Sequence, residues 1–503
     1  MNKIFLSSIL SCIALSASAQ SSYDAANFTQ TELNGTARYV GMGGALNALG
    51  GEISTMGSNP AGTGLFRRSD VAITASSLIT GQEGQLGQDK SRMSLDQAGV
   101  VFSFPIDDSG NGLQYVNFGV NYKKSRNFFD NQYVDVQNLY NSNDPERGFS
   151  QTYQIADLAN INEAIYMQDK NHRWGLLADL CAESETHEGV LYKFGHEYFG
   201  IPASSALYSR CMTGGVYEAD VNLSFNSSDR FYYGLTVGLY DVDLNRTAFY
   251  QELGEDNNFY DITSWYKTSG SGVDLKFGFI CRPIETSPFR FGVAVQTPTW
   301  FNLTDANGAE VYFNDAFVYD GDCDYDYDYR LNTPWKFNLS LGHTIGKQFA
   351  FGAEYELTDY SSACYRTSPS NYADQQYLGD INRECIKPFL KTQHTVKLGG
   401  EYRPNDFLSL RLGYNFLSSA YKAQGYRTIL YHEPFTETDF TNWGAINRFT
   451  AGLGFRWNGG YLDLAYQGQF QKGDFYAFDD EDLRATKISN NRHQIMATLG
   501  FRF

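Results

Sequence analysis

The chain has 503 residues, 42% hydrophobic and 16% aromatic, with 36 Tyr, 37 Phe and 48 Gly. Its formal net charge of -18 leaves no basic face for a nucleic acid. Mean hydropathy is -0.40, and beyond the first residues no run approaches the ~18 apolar residues of a membrane helix. What remains is a soluble exported protein or a membrane β-barrel, in which only alternate residues face lipid.

The N-terminus reads as a secretory leader, residues 1–19. Lys3 supplies the charge, Ile4 to Leu15 the apolar core, and Ala17-Ser18-Ala19 the small-residue cleavage site. A lipoprotein cut before Cys12 would leave too short an apolar core. Residues 20–69 carry no period-2 pattern. Within them Ala37 to Arg68 is too rich in Gly for a strand and too punctuated for one helix, and it includes Asn59-Pro60-Ala61-Gly62. We read residues 20–69 as a plug inside a barrel formed by residues 70–503.

Beyond Asp70, alternation recurs to the last residue. Leu408, Leu410, Leu412 and Tyr414 fall on one face, with Ser409, Arg411, Gly413 and Asn415 on the other. Arg448–Trp457 and Trp335–Gly342 repeat the pattern, which marks strands with two unlike faces. Fourteen strands are predicted, near 70–80, 96–105, 113–124, 215–226, 230–245, 269–282, 288–300, 333–345, 347–359, 393–403, 406–417, 446–457, 459–470 and 492–503. Connections alternate strictly between tight turns such as Asn226-Ser227-Ser228-Asp229 and long loops near 81–95, 125–214, 246–268, 301–332, 360–392, 418–445 and 471–491. Short turns on one side and long loops on the other are the pattern of outer-membrane barrels. The last strand alternates through Ile495, Ala497, Leu499, Phe501 and Phe503, an exposed apolar edge unless it closes onto the first. Phe501 and Phe503 are therefore read as an assembly signal. The fold class is an all-β, 14-stranded antiparallel transmembrane barrel with an N-terminal plug.

The loop at 125–214 shows helical spacing at Ile155–Tyr166 and Trp174–Leu180, fitting either a covering surface or helices packed on the rim. The acid–aromatic run Asp320–Arg330 reads as solvated charge on a loop or strand extension rather than a Ca²⁺ site, since it lacks an EF-hand pattern. Six cysteines follow the leader: Cys181, Cys211, Cys281, Cys323, Cys364 and Cys385. Loop bridges such as Cys181–Cys211 or Cys364–Cys385 are compatible with export, and sequence alone does not fix pairing. The seven His, which include His187 and His196 in one loop, form no H-E-x-x-H or similar pair, and no nucleophile elbow or P-loop occurs. We expect no enzyme, metal or cofactor. Inward-facing Glu218, Asp220, Asp274, Lys276, Lys397, Glu401, Arg411, Arg448, Arg456 and Asp463 read as a lumen network that satisfies itself.

Gly41-Met42-Gly43-Gly44-Ala45, then Ser54-Thr55 and Asn59-Pro60-Ala61-Gly62, resemble the N-terminal hatch of the FadL family. Echoes continue in Thr333-Pro334-Trp335, Leu357-Thr358-Asp359-Tyr360 and Phe407–Tyr414. The resemblance implies passive uptake of long-chain fatty acids or aromatic hydrocarbons across the outer membrane of a Gram-negative bacterium. A ligand settles on outer loops, enters a pocket, the plug shifts, and the ligand leaves sideways at an inward kink in the third strand. Here that strand is Leu113 to Lys124, with Asn117 and Gly119 on its inner face and Gly119 the candidate kink. The implied gating residues are Gly41, Met42, Gly43, Gly44, Asn59, Pro60, Ala61 and Gly62. The expected partners are a hydrophobic small molecule, outer-membrane lipid and lipopolysaccharide, and the barrel assembly machinery, with the chain a monomer. A second reading is a surface receptor or structural barrel whose loops grip haemin or a partner without transport.

Overall fold

The computed structural model describes residues 21–503 apart from residues 83–85, 87–88, 107–111, 138, 140–148, 171, 173, 183–188, 255–258, 323–325, 369–377, 380, 424, 426, 428–434 and 481. The leader, His187, His432 and Cys323 lie outside the described residues. The described chain begins with helix α1 (Ser22–Thr29), capped by Ser21, and a short helix α2 (Ala37–Gly41), capped by Thr36. Two 3-10 turns follow, Ile53–Gly57 and Pro60–Leu65.

Fourteen strands then form one closed antiparallel ring. They are β1 (Asp70–Thr80), β2 (Ser91–Pro105), β3 (Leu113–Asn127, continued by Asp130–Gln137), β4 (Ala203–Ser227), β5 (Phe231–Gly254), β6 (Phe259–Cys281) and β7 (Arg290–Gln296, continued by Trp300–Phe313). The second half is β8 (Tyr327–Asn332 and Lys336–Ile345), β9 (Phe349–Asp359, continued by Cys364–Thr367), β10 (Thr392–Tyr402), β11 (Leu408–Leu417), β12 (Phe440–Trp457), β13 (Gly460–Tyr476) and β14 (Thr486–Arg502). The ring shuts where β1 pairs with β14, from Asp70 opposite Arg502 to Thr80 opposite Arg492, so neither strand has a bare edge. Arg502 Nε donates to Asp70 Oδ2 at 2.8 Å, and Phe503 N to Ser69 O at 3.0 Å.

All fourteen predicted strands are present, and several run well past their predicted ends. The reason is a change of polarity along the longer wall strands, as in β5 and β6. Low on β5, Tyr233, Leu235 and Leu239 point outward and are exposed, while Thr236 is buried inside. Higher on the same strand the faces trade character: Val242, Leu244, Ala248 and Tyr250 are buried inside, and Asp241 and Asn245 face out. On β6, Asp274 and Lys276 face in below, and Tyr260, Ile262 and Tyr266 face in above. The lower zone is a barrel in lipid with a polar lumen; the upper zone is a barrel in water with an apolar core. About nine residues separate the start of β5 from the change, roughly 30 Å along a tilted strand, which matches a bilayer core.

The segment 125–214 is thus partly wall: Asp130–Gln137 pairs with β4, and β4 begins at Ala203. Between them lie helices α3 (Gln151–Tyr166) and α4 (Leu176–Cys181), where helical spacing placed them. They roof the barrel. Ile155, Ala159, Leu177 and Leu180 pack with Tyr250, Tyr260, Val311 and Phe475 from four wall strands. Ser150 caps α3, and Glu252 of β5 accepts from Gln151 N (2.6 Å), Ser150 Oγ (2.5 Å) and Tyr250 Oη (2.6 Å). Burial pushes the Glu252 carboxyl up to about 7, against these three donors, which pull it down.

The Cys181–Cys211 bridge is not formed. Cys181 is buried under the roof with its thiol 3.9 Å from Tyr260 Oη, and Cys211 lies on β4 with its thiol on Asn131 Oδ1 at 3.5 Å. Cys364 is a free thiol, with Asn382 Nδ2 3.4 Å from its Sγ, so the Cys364–Cys385 bridge is not formed either. The acidic run around Asp320 is strand on both sides, with Tyr327 and Tyr329 buried inward and Asp326 and Asp328 exposed.

Candidate functional site: the occupied lumen

Residues 37–66 lie inside the lipid-level ring and touch nearly every strand of it. Ala37 N donates to Thr498 Oγ1 of β14 at 2.7 Å. Asn47 gives its N and Nδ2 to the two oxygens of Glu354 on β9, at 2.7 and 2.9 Å. Arg290 of β7 donates to Leu49 O at 2.6 Å, and Thr63 Oγ1 to Asn222 of β4 at 2.6 Å. The segment follows the wall round rather than crossing the lumen once.

What lets it sit so close is a girdle of inward glycines at one level of the wall. Gly234 pairs with Gly278, and Gly342, Gly352, Gly399 and Gly413 pair in succession across β8 to β11. A Cβ at Gly234 would meet the backbone of Pro60. At Gly352 it would meet Ala45 O, at Gly399 Met42 O, and at Gly413 the backbone N of Gly43. Backbone meets backbone, so no side chain can move aside to make room. Some of these glycines were visible on the polar faces of predicted strands, but alternation treats Gly as merely not apolar. Their recurrence at one height across paired strands was the signal.

The predicted gating residues divide into two groups on opposite sides of the ring. Gly41, Met42, Gly43 and Gly44 lie against β10, β11 and β12. Gly43 and Gly44 hold φ of +64° and +79°, open to glycine without strain. Asn59, Pro60 and Ala61 lie against β5 and β6, while Gly62 packs within the segment on Thr55 and accepts from Gly51 N at 2.9 Å. Asn59 caps the turn that Pro60 starts, accepting from Ala61 N at 3.2 Å, and donates to Asn47 O at 3.4 Å. Asn47 therefore ties the two groups together through the segment itself. Phe501 and Phe503 are exposed on the outer wall at the short-turn end.

The register of the third strand with β2 and with β4 is unbroken from Val116 to Lys123; on the β4 side it shifts at Leu113/Tyr115 and Lys124/Arg126, and its pairing with β2 ends at Gln97 opposite Lys123. Asn117 and Gly119 hold the segment: Asn117 Nδ2 donates to Thr63 O (2.7 Å) and Phe66 O (3.1 Å), and Met56 packs where a Gly119 Cβ would go.

Many of the lumen charges pair with one another, because a buried charge stripped of its partner costs about 3–5 kcal/mol, whereas Arg448 donates to the neutral Gln469 (2.8 Å) and Asn415 (3.3 Å). Arg411 bonds Glu401 (2.7 Å) and Asp463 (2.6 Å), and Arg38 of α2 adds to Glu401 at 3.3 Å. Lys276 bonds Asp220 (2.6 Å) and Glu218, and Lys123 joins Glu218 at 3.1 Å. Lys397 lies 3.4 Å from both Glu354 and Glu356. Above residues 37–66 is a cavity of about 90 Å³ lined by Lys123, Lys336, Lys397, Arg448, Glu218 and Glu356 among others. It is polar, with room for a few waters and none for an acyl chain.

The apolar chamber is one storey higher and already has an occupant. Helix α1 fills it, with Ala25, Ala26 and Phe28 among Tyr240, Tyr266, Phe301, Leu303 and Tyr329. Phe28 meets Phe128 edge-on at 5.9 Å between ring centroids, and Tyr23 stacks on Tyr421 at 5.2 Å. Asp24 pairs with Arg246 at 3.4 Å, and Tyr365 Oη donates to Ser21 O at 2.9 Å.

A closed antiparallel ring of strands with an apolar belt exposed on its outer face defines a transmembrane β-barrel. No family model matches the chain, and no curated protein matches it by sequence. Solved structures do. A FadL homologue of Pseudomonas aeruginosa is similar at TM-score 0.51 and 13% identity, covering 94% of this chain and 99% of that one. The CymD monoaromatic hydrocarbon channel is similar at TM-score 0.50 and 11% identity, with the same two coverages. At these identities the likeness is one of fold: the chain has the fold of FadL-type channels.

Proposed function

We propose that the protein is an outer-membrane channel for passive uptake of hydrophobic compounds, fatty acids or aromatic hydrocarbons, and that residues 21–69 form its plug. The observation that carries this is α1 in the aromatic chamber. A short helix that places Ala25, Ala26 and Phe28 in the apolar cluster, held by the Asp24–Arg246 ion pair, ring contacts and a few hydrogen bonds, occupies the volume that a greasy solute would take. A solute that buries comparable surface there replaces α1 at little net cost, since each large side chain is worth about 1.5–3 kcal/mol on burial. Departure of α1 leaves residues 37–66 held by wall bonds that exchange one by one. No nucleotide site enters the scheme, so the flow follows the solute gradient.

The test is uptake of labelled oleate and of toluene by cells with and without the gene, and with residues 21–30 deleted. Uptake that depends on the gene is expected, with faster entry for the deletion. Gene-independent uptake of both solutes overturns the proposal. The alternative, a surface receptor, draws on the exposed Tyr192, Phe194 and Phe199 of a small hairpin on the roof. It predicts binding by whole cells without accumulation inside.

A further inference from the structure

We infer that the outer wall of the barrel holds phosphate-bearing lipid of the outer leaflet at two stations built alike, one on β9 and β10 and one on β13 and β14. Neither station depends on what the lumen carries.

Each station has a tyrosine and a histidine on the lipid-facing side of the wall. Tyr355 of β9 lies opposite Val396, and His394 lies one outward position higher, opposite Leu357. Tyr466 of β13 lies opposite Ile495, and His493 lies one outward position higher, opposite Gly468. The offset is the same, and so is the contact. Tyr355 Oη is 2.7 Å from His394 Nδ1, with the rings stacked at 6.0 Å and 28°. Tyr466 Oη is 2.8 Å from His493 Nδ1, with the rings stacked at 6.1 Å and 21°. A hydroxyl that donates to Nδ1 puts the imidazole proton on Nε2. Among the described residues neither Nε2 has a hydrogen-bond partner.

Tyrosine alone is ordinary at a membrane surface, where its ring meets lipid and its hydroxyl meets water. An imidazole N–H there is costly unless an acceptor meets it. His394 is eight residues above the low end of β10 at Tyr402, and His493 is nine above that of β14 at Arg502. This is the height at which β5 changes polarity, so both imidazoles lie level with the lipid headgroups. Below them the outer wall is apolar and exposed, with Phe351 and Leu398 at one station and Leu464 and Ile495 at the other.

Cations complete each station. Lys391 is exposed immediately before β10, and Lys422 is held beside it, with Lys391 N on Ala420 O (2.8 Å) and Lys422 N on Phe389 O (2.8 Å). On β13, Lys472 is exposed two positions above Phe470 on the outward face, opposite Ser489. The carboxylates on the same outward faces are engaged within the protein: Asp359 accepts from Ser361 N (3.2 Å) and Oγ (2.7 Å), and Asp474 from Lys487. An ammonium and an N–H donor over an apolar wall recognise a phosphate that carries acyl chains, through charge-assisted hydrogen bonds above and chain contact below. In the outer leaflet that lipid is the phosphorylated glycolipid. A chain of net charge -18 otherwise repels an anionic leaflet, and the lysines supply attraction where the wall meets it.

The test is native mass spectrometry of the purified barrel with bisphosphoryl lipid A, phosphatidylcholine and inorganic phosphate as probes. Lipid A is expected to bind in two copies and phosphatidylcholine far more weakly. His394→Phe and His493→Phe, which keep the ring stack, should each lose one copy. The combined variant His394→Phe/His493→Phe and the variant Lys391→Gln/Lys422→Gln/Lys472→Gln should each weaken lipid A binding at least tenfold. Lys267→Gln, which removes another exposed lysine on the outward face of β6, should leave binding unchanged. These side chains point away from the lumen and make no ladder bond, and folded migration on unheated gels checks every variant. Unchanged binding in the histidine or lysine variants, or equal binding of phosphatidylcholine, overturns the stations. Displacement of lipid A by millimolar inorganic phosphate makes them sites for free phosphate and overturns the lipid assignment.

Discussion

The glycine girdle makes a sharp prediction on one strand. Gly399 and Gly400 are neighbours on β10, one facing the lumen and one facing lipid. A methyl group at Gly399 would run into the carbonyl oxygen of Met42, with Met42 C at 3.0 Å and Cα at 3.3 Å. A methyl at Gly400 would meet nothing nearer than the Phe351 ring at 3.7 Å, an ordinary contact. Overpacking of this kind costs about 1–3 kcal/mol. For Gly399→Ala the cost falls on the docked N-terminal segment, because the wall keeps all its ladder bonds. Taking about 2 kcal/mol, the undocked population rises roughly 30-fold, since every 1.4 kcal/mol is tenfold. In planar bilayers, single barrels of Gly399→Ala should show about that increase in time spent conducting, and Gly400→Ala should match the wild type. Both should keep the resistance to detergent unfolding of an intact barrel. Equal conduction in the two variants, or loss of the barrel in Gly399→Ala alone, refutes the reasoning that the girdle exists to seat the segment.

Asn59→Ala removes the cap of the Pro60 turn, worth about 0.5–2 kcal/mol, and should raise conduction severalfold with unchanged barrel yield in the membrane. Deleting Phe503 should lower the amount of inserted barrel, read by membrane fractionation, while each inserted barrel still takes up oleate. The Glu252 carboxyl, raised from an ordinary value of 4.5 to about 7, favours its neutral form under the roof. Its contribution to holding the roof is fully present below pH 4.5, declines above that, and is lost once pH passes about 7. Proteinase K should cut between α3 and α4 faster at pH 8 than at pH 5 in the wild type, by more than in Glu252→Gln; identical pH trends in the two would refute the assignment.

Reading the strands from sequence succeeded where one face meets lipid. In Leu408–Asn415 every outward position is apolar and every inward one polar or glycine, so counting alone locates the strand. It stopped short above the membrane for a physical reason. In Phe259–Thr268 the inward side chains are Tyr, Ile, Ser, Tyr and Thr and the outward ones are Phe, Asp, Thr, Trp and Lys, so alternation persists with its sense reversed and with aromatic residues on both faces. Such a stretch reads as a loop. The helices of the roof were legible because Ile155, Leu158 and Ala159 repeat at helical spacing. The N-terminal segment was legible by its glycines, but its partners were not, since contact between Met42 and Gly399 spans most of the chain. The exit expected in β3 came from the resemblance; within residues 113–124 the one residue that weakens a strand is Gly119, and Met56 packs against it.

The change of polarity along the wall also fixes how high the protein floats. Sinking by two residues would draw Asp241 into hydrocarbon and, with its counterparts on neighbouring strands, cost a few kcal/mol for each charge that reaches the apolar layer. Rising by two would lift Leu239, Phe277 and Leu339 into water at about 25 cal/mol per Å² of apolar surface. The molecule is thus a depth gauge with a stop at each end. A membrane thicker than its apolar belt must thin around it.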